Sequence, residues 1–77
     1  MTFEEKVKYV LGELATSSVS RTVASILTEE TRDECQKVRE HLLYYEFVRP
    51  ERKTHLDFHL LINTKGRRAL KGLEPLV

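Results

Sequence analysis

The sequence has 77 residues and one cysteine, and its 13 lysines and arginines nearly balance 12 aspartates and glutamates. This length allows one small domain with a core of marginal stability, and the lone cysteine excludes an internal disulfide framework and a zinc motif of paired cysteines. We expect a cytoplasmic protein, because no apolar run reaches the ~20 residues of a membrane span and the N-terminus is too charged for a signal peptide.

Charge is distributed unevenly along the chain. Residues 52–77 carry six basic and two acidic side chains, whereas residues 1–51 carry seven and ten. The C-terminal third therefore carries the positive field. Gln36, Asn63 and Met1 are the only residues of their types in a chain that is 32% charged. Such a composition is reported for proteins of thermophiles.

The first predicted element is a helix that ends near Leu14. Thr2 and Glu5 have the spacing of a capping box. Gly12 costs this helix up to about 1 kcal/mol relative to alanine, so either another element packs closely there or the helix tolerates the loss. The apolar residues predicted to share its buried face are Phe3, Val7, Val10, Leu11 and Leu14.

A break is predicted after Thr16, followed by a very short strand at Val19 and a second helix from Arg21 to Leu27. Ser20 is the expected N-cap of that helix. The residues that it is expected to bury are Val23, Ala24 and either Ile26 or Leu27.

The third helix is predicted over about residues 32–46. Thr31 and Glu34 form a second capping box before it. Apolar residues recur at spacings of three and four on one face, and polar residues occupy the opposite face. The apolar face consists of Cys35, Val38 and Leu42, and the side opposite to it carries Asp33, Gln36, Lys37, Glu40 and Tyr44.

A β-hairpin is predicted over about residues 47–62. Phe47 and Val48 begin its first strand, which Pro50 restricts to a sheet edge, and residues 51–54 form a polar tip. The return strand alternates between two faces. One face carries Leu56, Phe58, Leu60 and Ile62, and the other carries His55, Asp57, His59 and Leu61.

A short C-terminal helix is predicted over about residues 64–72, capped by Asn63 or Thr64. Gly72 and Pro75 mark its end. Its expected inward residues are Ala69, Leu70 and Leu73.

The order and spacing of these elements resemble those of winged helix-turn-helix DNA-binding domains. Cys35 and Leu42 follow the capping Thr31 at the family's spacings of four and eleven, and the pair Phe47-Val48 resembles the opening of the wing. Residues 61–70, LINTKGRRAL, resemble the family's segment after the wing. Glu46 stands where many members have glycine, which predicts a continued helix end and not a left-handed turn.

This resemblance implies an α+β winged helix-turn-helix fold, with a three-helix core, a wing of two or three strands and a short C-terminal helix. It also implies that the third helix enters the major groove of double-stranded DNA. The side chains then expected to reach base edges are Arg32, Asp33, Gln36, Lys37 and Glu40. The residues expected to contact phosphates, from the start of helix two and from the wing, are Ser20, Arg21, Arg49, Arg52 and Lys53.

We expect a transcriptional regulator that acts as a homodimer, because two-fold symmetry doubles the few contacts of one small domain. The expected dimer interface is Phe3, Leu73, Leu76 and Val77, which exceed what one small core needs. No cofactor, metal or small-molecule ligand is expected. The alternative is a winged helix that binds proteins within a larger assembly, which the mixed charge of the third helix favours.

Other chemistry is weighed against this reading. His55, Asp57 and His59, with Cys35 or His41, suggest a metal site, but neighbours on one strand face lie nearly 7 Å apart, so a solvated surface is preferred. Cys35 with a histidine suggests a nucleophile, but a position on the buried face favours a small core residue. Enzymatic activity is therefore not expected. Tyr44 and Tyr45 are expected to pack against the wing.

Overall fold

The computed structural model describes residues 1–54 and 57–77. In this part of the chain, three helices precede a two-stranded antiparallel sheet and a fourth helix follows it. The elements are α1 (Phe3–Thr16), α2 (Val23–Ile26), α3 (Arg32–Tyr44), β1 (Val48–Lys53), β2 (Phe58–Ile62) and α4 (Thr64–Leu70). The α+β class and the predicted order of the elements are confirmed. The predictions for His55 and Leu56 lie outside the described residues.

Helix α1 begins with the predicted capping box. The Glu5 N–H donates to the Thr2 hydroxyl at 3.1 Å, and the Thr2 N–H donates to the Glu5 carboxylate at 2.7 Å. The predicted apolar face is buried, apart from the half-buried Phe3, and the helix runs two residues past Leu14. A Cβ at Gly12 would meet no described atom within 4 Å, so the helix tolerates this glycine without needing it.

Helix α2 is shorter than predicted, and its N-cap is Thr22 and not Ser20. The Thr22 hydroxyl accepts a hydrogen bond from the Ser25 N–H at 3.1 Å. Ala24 is exposed, contrary to its predicted burial. The residues that this segment does bury are Val23, Ile26 and Leu27.

Arg21 pairs with the hairpin and does not begin a helix. The Arg21 N–H donates to the Leu60 carbonyl at 3.2 Å, and the Leu60 N–H donates to the Arg21 carbonyl at 2.8 Å. This isolated bridge stands two residues after Val19, where the sequence predicted a very short strand. The start of α2 is delayed because the pairing holds Arg21 in an extended conformation.

Helix α3 begins at the predicted residue, but only half of its predicted capping box forms. The Glu34 N–H donates to the Thr31 hydroxyl at 3.2 Å. The Glu34 carboxylate points elsewhere and pairs with Lys6 of α1 at 3.2 Å. The predicted apolar face, formed by Cys35, Val38 and Leu42, is buried.

Helix α3 ends two residues earlier than predicted. Glu46 has a φ of 59°, so it adopts the left-handed conformation. The prediction of a continued helix end at this residue is wrong. The Phe47 N–H donates to the Leu42 carbonyl at 3.0 Å, and the Glu46 N–H donates to the Leu43 carbonyl at 3.2 Å. This is the Schellman pattern. It reverses the chain and buries Phe47, which is 1% exposed.

The hairpin, residues 48–62, has a longer first strand than predicted. Strand β1 includes three of the residues expected at the tip, and the register shifts between Pro50 and Arg52, which leaves Glu51 in a bulge. Strand β2 pairs with β1 on one side and with Arg21 on the other. Strand β1 is therefore the edge strand, as Pro50 predicted.

One face of β2 packs on the helices as predicted. Leu60 is fully buried, and Phe58 and Ile62 are half buried against the same core. Asp57 was expected on the solvent face of the strand. It lies before β2, and its side chain is only 13% exposed.

Asn63 occupies the N-cap position of helix α4, but its side chain makes no capping hydrogen bond and donates to the Glu46 carbonyl at 3.1 Å. The helix ends with a second Schellman pattern at Gly72, whose φ is 78°. Ala69 is buried and Leu70 is half buried, but Leu73 is 60% exposed and does not turn inward. A Cβ at Gly66 would overlap the carbonyl oxygen of Phe47. Gly66 thus allows α4 to pack closely on the corner after α3.

The core lies between α1, α3 and the base of the hairpin. Its largest fully buried side chains are Phe47, Leu11, Leu42, Leu60, Val7, Val10, Val23 and Val38. Among the described residues, no helix combines the length and the apolar character that crossing a bilayer requires.

Candidate nucleic-acid interface

The polar face of α3, defined as Arg32, Asp33, Gln36, Lys37 and Glu40, is exposed at all five positions. Helical periodicity brings these side chains together on one surface, opposite the buried stripe. Three of these five side chains already have partners within α3. The Gln36 amide donates to the Glu40 carboxylate at 2.9 Å, and the Lys37 ammonium lies 3.5 Å from the Glu34 carboxylate.

Arg32 differs from its neighbours on this face. It occupies the first turn of α3, where the helix dipole disfavours a cation, and it takes part in none of the ion pairs of the described chain. A positive side chain in this position is available to an anionic or hydrogen-bond-accepting partner.

The three hairpin cations that were predicted to contact phosphates, Arg49, Arg52 and Lys53, are all exposed on β1. The Arg52 guanidinium donates to His59 Nε2 at 3.2 Å across the hairpin, and Lys53 Nζ lies 5.7 Å from the centre of the Phe58 ring. These contacts fix the directions of two of the cations while leaving them in solvent. Strand β1 thus presents a positively charged edge.

Ser20 and Arg21 do not begin α2, so they cannot offer the helix N-terminus that was predicted. The Arg21 N–H is used by the Leu60 carbonyl, and its guanidinium lies 3.4 Å from the Ser25 carbonyl oxygen. Ser20 lies beside the hairpin instead. It lines a shallow concavity of about 510 Å³ together with Val19, Glu51, Arg52 and His59.

Two of the four residues predicted at a dimer interface, Phe3 and Leu76, pack against the protein's own core. Phe3 packs edge-on against the His41 ring at 5.2 Å, and the His41 Nε2–H donates to the Leu76 carbonyl at 2.6 Å. The side chains of Phe3 and Leu76 are half buried against the core. Phe3 and Leu76 are therefore partly used within the monomer, and their place in a dimer interface stays a prediction. Leu73 and Val77 remain 60% and 58% exposed.

A second aromatic group lies at the end of α3. Tyr45 stacks on Phe47 with 6.0 Å between the ring centres, and Lys65 Nζ lies over both rings, at 5.8 and 5.5 Å. Tyr44 contacts Tyr45 edge-on but is 78% exposed. Tyr45 therefore packs on the corner after α3 and beside α4, and not on the strands of the hairpin as expected, whereas the ring of Tyr44 extends the exposed surface of α3.

The groups considered for other chemistry are engaged elsewhere. Cys35 is 4% exposed, and burial, followed by the charge of Asp57, raises the pKa of its thiol. Asp57 pairs with Arg39, and the His41 ring packs between the rings of Phe3 and Tyr45. Within residues 1–54 and 57–77, no group of three potential ligands is arranged to hold a metal ion. His55 lies outside these ranges.

Two groups of charged residues that attach α3 to its neighbours are not evident from the spacing of the sequence. Lys6 of α1 is 9% exposed and lies 3.3 Å from Glu30 and 3.2 Å from Glu34. Burial opposes the charge of Lys6, but its two carboxylate partners outweigh this effect and raise its pKa. Lys6 lies next to the apolar stripe of α1, at the boundary between its buried and exposed faces. Periodicity does not indicate whether a residue at such a boundary is buried.

The second group is Arg39 with Asp57, which joins α3 to the hairpin at 2.9 Å. Arg39 follows the buried Cys35 by four residues, so helical spacing brings it to the edge of the core. The partner, however, lies 18 residues away. Periodicity alone does not identify such a partner.

Comparison of the chain with family models, with curated proteins and with solved structures found no match. The chemistry of the two exposed surfaces, the polar face of α3 and the cationic edge of β1, is therefore the basis for a function.

Proposed function

We propose that the protein is a winged helix-turn-helix regulator of transcription that binds double-stranded DNA sequence-specifically. In this proposal α3 lies in the major groove, and the hairpin is the wing that contacts phosphates or the minor groove. The observation that carries it is the succession of two exposed surfaces. The polar face of α3 is followed, after the turn at Glu46, by a strand that exposes Arg49, Arg52 and Lys53.

The two surfaces have different charges and are assigned different roles. The polar face of α3 carries two basic and two acidic side chains, whereas β1 carries three basic side chains and one acidic one. Gln36, Arg32 and Lys37 can read base edges, since amides suit adenine and cations suit guanine. The β1 cations supply affinity through phosphate contacts and counterion release. Specificity thus comes from α3 and much of the affinity from the wing.

The proposal is tested by titrating fluorescent duplex DNA at several salt concentrations. Selection from a random duplex pool first supplies the preferred site. We expect the logarithm of the affinity to fall linearly with the logarithm of the salt concentration, and Arg52→Met to reduce the slope by about 0.9. Lys8→Met, which removes the same charge from the exposed surface of α1, is the control and leaves most of the slope unchanged.

Base readout is tested separately by Gln36→Ala. This substitution removes the amide and its hydrogen bond to Glu40 but leaves the β1 cations in place. We expect discrimination at one base pair of the site to fall, with a loss of about 1–3 kcal/mol, while the salt slope is unchanged. Absence of duplex binding at about 50 mM salt, or an affinity independent of salt, would contradict DNA binding.

The proposed regulator acts as a homodimer on a pseudo-palindromic site. Exposed Leu73 and Val77 are the main support for a contact between copies, since Phe3 and Leu76 are half buried against the core. Sedimentation velocity at micromolar concentration tests this part, with Leu73→Ser as the variant expected to weaken association. A single species of 9.0 kDa in the wild type would contradict the dimer.

A second candidate is a winged helix that binds another protein within a larger assembly. The exposed carboxylates Asp33 and Glu40, next to the exposed ring of Tyr44, favour it. Carboxylates close to phosphates are repelled, whereas a protein partner with basic and apolar groups suits such a surface. This second function replaces the first if Tyr44→Ala and Glu40→Gln abolish capture of a protein partner, while duplex binding is either absent in the wild type or the same in the wild type and both variants.

A further inference from the structure

Arg39 and Asp57 form an ion pair between α3 and the hairpin. Arg39 Nη1 lies 2.9 Å from Asp57 Oδ1, and the two side chains are only 14% and 13% exposed. In the described part of the chain, no other ion pair joins these two elements. A partly buried pair with this geometry is much less screened than a pair in open solvent.

Asp57 is itself held firmly by its own neighbourhood. Its Oδ1 also accepts a hydrogen bond from the Phe58 N–H at 2.7 Å. The Thr54 N–H and hydroxyl donate to the Asp57 carbonyl at 2.7 and 2.9 Å, and the Asp57 N–H donates to the Thr54 hydroxyl at 3.1 Å. Asp57 thus ties together Thr54, just after β1, and Phe58, the first residue of β2, and connects both to Arg39.

The rest of the hairpin is attached to the helices mainly at its other end. Val48 is buried at the start of β1, but the next five residues of this strand are exposed. Leu60 is buried near the middle of β2, and only the half-buried Phe58 lies against the core at the far end. Arg52 and Lys53 belong to this far end, because they pair in register with His59 and Phe58.

We propose that Arg39 and Asp57 are positioning residues that fix the far end of the hairpin relative to the polar face of α3. The consequence for binding rests on the proposed function: Arg52 and Lys53 reach phosphates only while the pair holds them at the correct distance from α3. Arg39 is largely buried and is neutralised by Asp57, so it positions the wing and does not itself contact DNA.

The sign of one substitution distinguishes positioning from simple charge. Asp57→Asn preserves the shape of the side chain and an acceptor for the Phe58 N–H, but it removes the negative charge that binds Arg39. The variant gains one positive charge, which by itself strengthens binding to a polyanion. If the hairpin is no longer held relative to α3, however, Arg52 and Lys53 lose their phosphate contacts and binding weakens. Glu74→Gln gives the same change in net charge at the more exposed pair Arg68–Glu74, whose atoms lie 3.6 Å apart.

The experiment measures duplex affinity and amide hydrogen exchange for both pairs of variants. We expect Asp57→Asn to bind about three- to tenfold more weakly than Glu74→Gln. Arg39→Met leaves the local hydrogen bonds of Asp57 intact and removes only its contact with α3. We therefore expect the Thr54 and Phe58 amides to exchange at least about threefold faster in this variant. Arg68→Met is its control. Circular dichroism establishes that each variant is folded.

Two results would overturn the proposal. One is an Asp57→Asn variant that binds duplex as tightly as Glu74→Gln, and the other is unchanged amide exchange in Arg39→Met. The exchange measurement needs no DNA. If the wild type binds no duplex, the proposed function fails, and the exchange at Thr54 and Phe58 still decides whether Arg39 holds the hairpin.

Discussion

Helix α1 packs on α3 through apolar side chains, whereas the far end of the hairpin is attached mostly through polar contacts. Val7, Val10 and Leu11 of α1 are fully buried, as are Val38 and Leu42 of α3. On the hairpin, five of the six residues of β1 are exposed. Burial of apolar surface supplies most of the stability of the first region, whereas hydrogen bonds and one ion pair orient the second with little gain in stability. Most of the stability thus comes from the buried faces of the helices, whereas the charge is presented by the exposed face of α3 and by β1.

The largest effect is expected in the helical region. Leu42→Ala removes a fully buried side chain of α3 and leaves a cavity against α1. The free energy of unfolding should fall by about 2–5 kcal/mol. Leu73→Ala, at an exposed position, should change it by less than about 0.5 kcal/mol. Urea denaturation measures both, and equal effects would contradict the assignment of the core to the helices.

The junction between the two regions should respond next. Gly66→Ala introduces a Cβ that overlaps the Phe47 carbonyl oxygen, so α4 must move and unfolding should become easier by about 1–3 kcal/mol. Gly12→Ala adds the same methyl group where no described atom is near. It should stabilise the protein by about 0.5–1 kcal/mol. Thermal melts that shift in the same direction for both variants would show that the junction is not closely packed.

The corner at Glu46 tests whether the hairpin attachment carries strain. A non-glycine residue at φ 59° is unfavourable, so Glu46→Gly should raise the free energy of unfolding by about 0.5–1 kcal/mol. Gly72→Ala makes the opposite change at φ 78° and should lower it by about 1–2 kcal/mol. Chemical denaturation compares the pair. Destabilisation by Glu46→Gly would mean that the glutamate side chain contributes more than the backbone strain costs.

The smallest effect concerns the charged contact between α1 and α3. The hydrogen bond from Lys6, and then the charges of Lys6 and Lys37, hold the pKa of Glu34 below its ordinary value of 4.5. The contribution of Glu34 to stability is therefore complete above this value and is lost as the pH falls through the lower folded-state pKa. Glu34→Gln should flatten the acid side of the stability profile.

Glu29→Gln is the control for this pH dependence, because the exposed Glu29 forms no ion pair in residues 1–54 and 57–77. Its profile should follow that of the wild type. Melting temperatures between pH 3 and pH 7 provide the measurement. Parallel profiles for Glu34→Gln and the wild type would mean that Lys6 does not stabilise the charged form of Glu34.

The sequence by itself determined the order of the elements, the starts of α1 and α3 and the buried stripe of each. Thr2, Thr31 and the apolar repeats act within a few residues, so local spacing specifies them. The exposure of the polar face of α3 follows from the same periodicity. Its role in recognition stays a prediction, because exposure is common to recognition surfaces and to solvated ones.

Only the tertiary structure decided the features that depend on distant partners. Arg21 pairs with Leu60, so α2 begins later than predicted. Burial of Phe47 requires a chain reversal in which Glu46 adopts a left-handed conformation. Lys6 takes the carboxylate of Glu34 away from its cap. In each case a local preference of about 1 kcal/mol gives way to packing or pairing with a residue far along the chain. Spacing within a segment carries no information about such a partner.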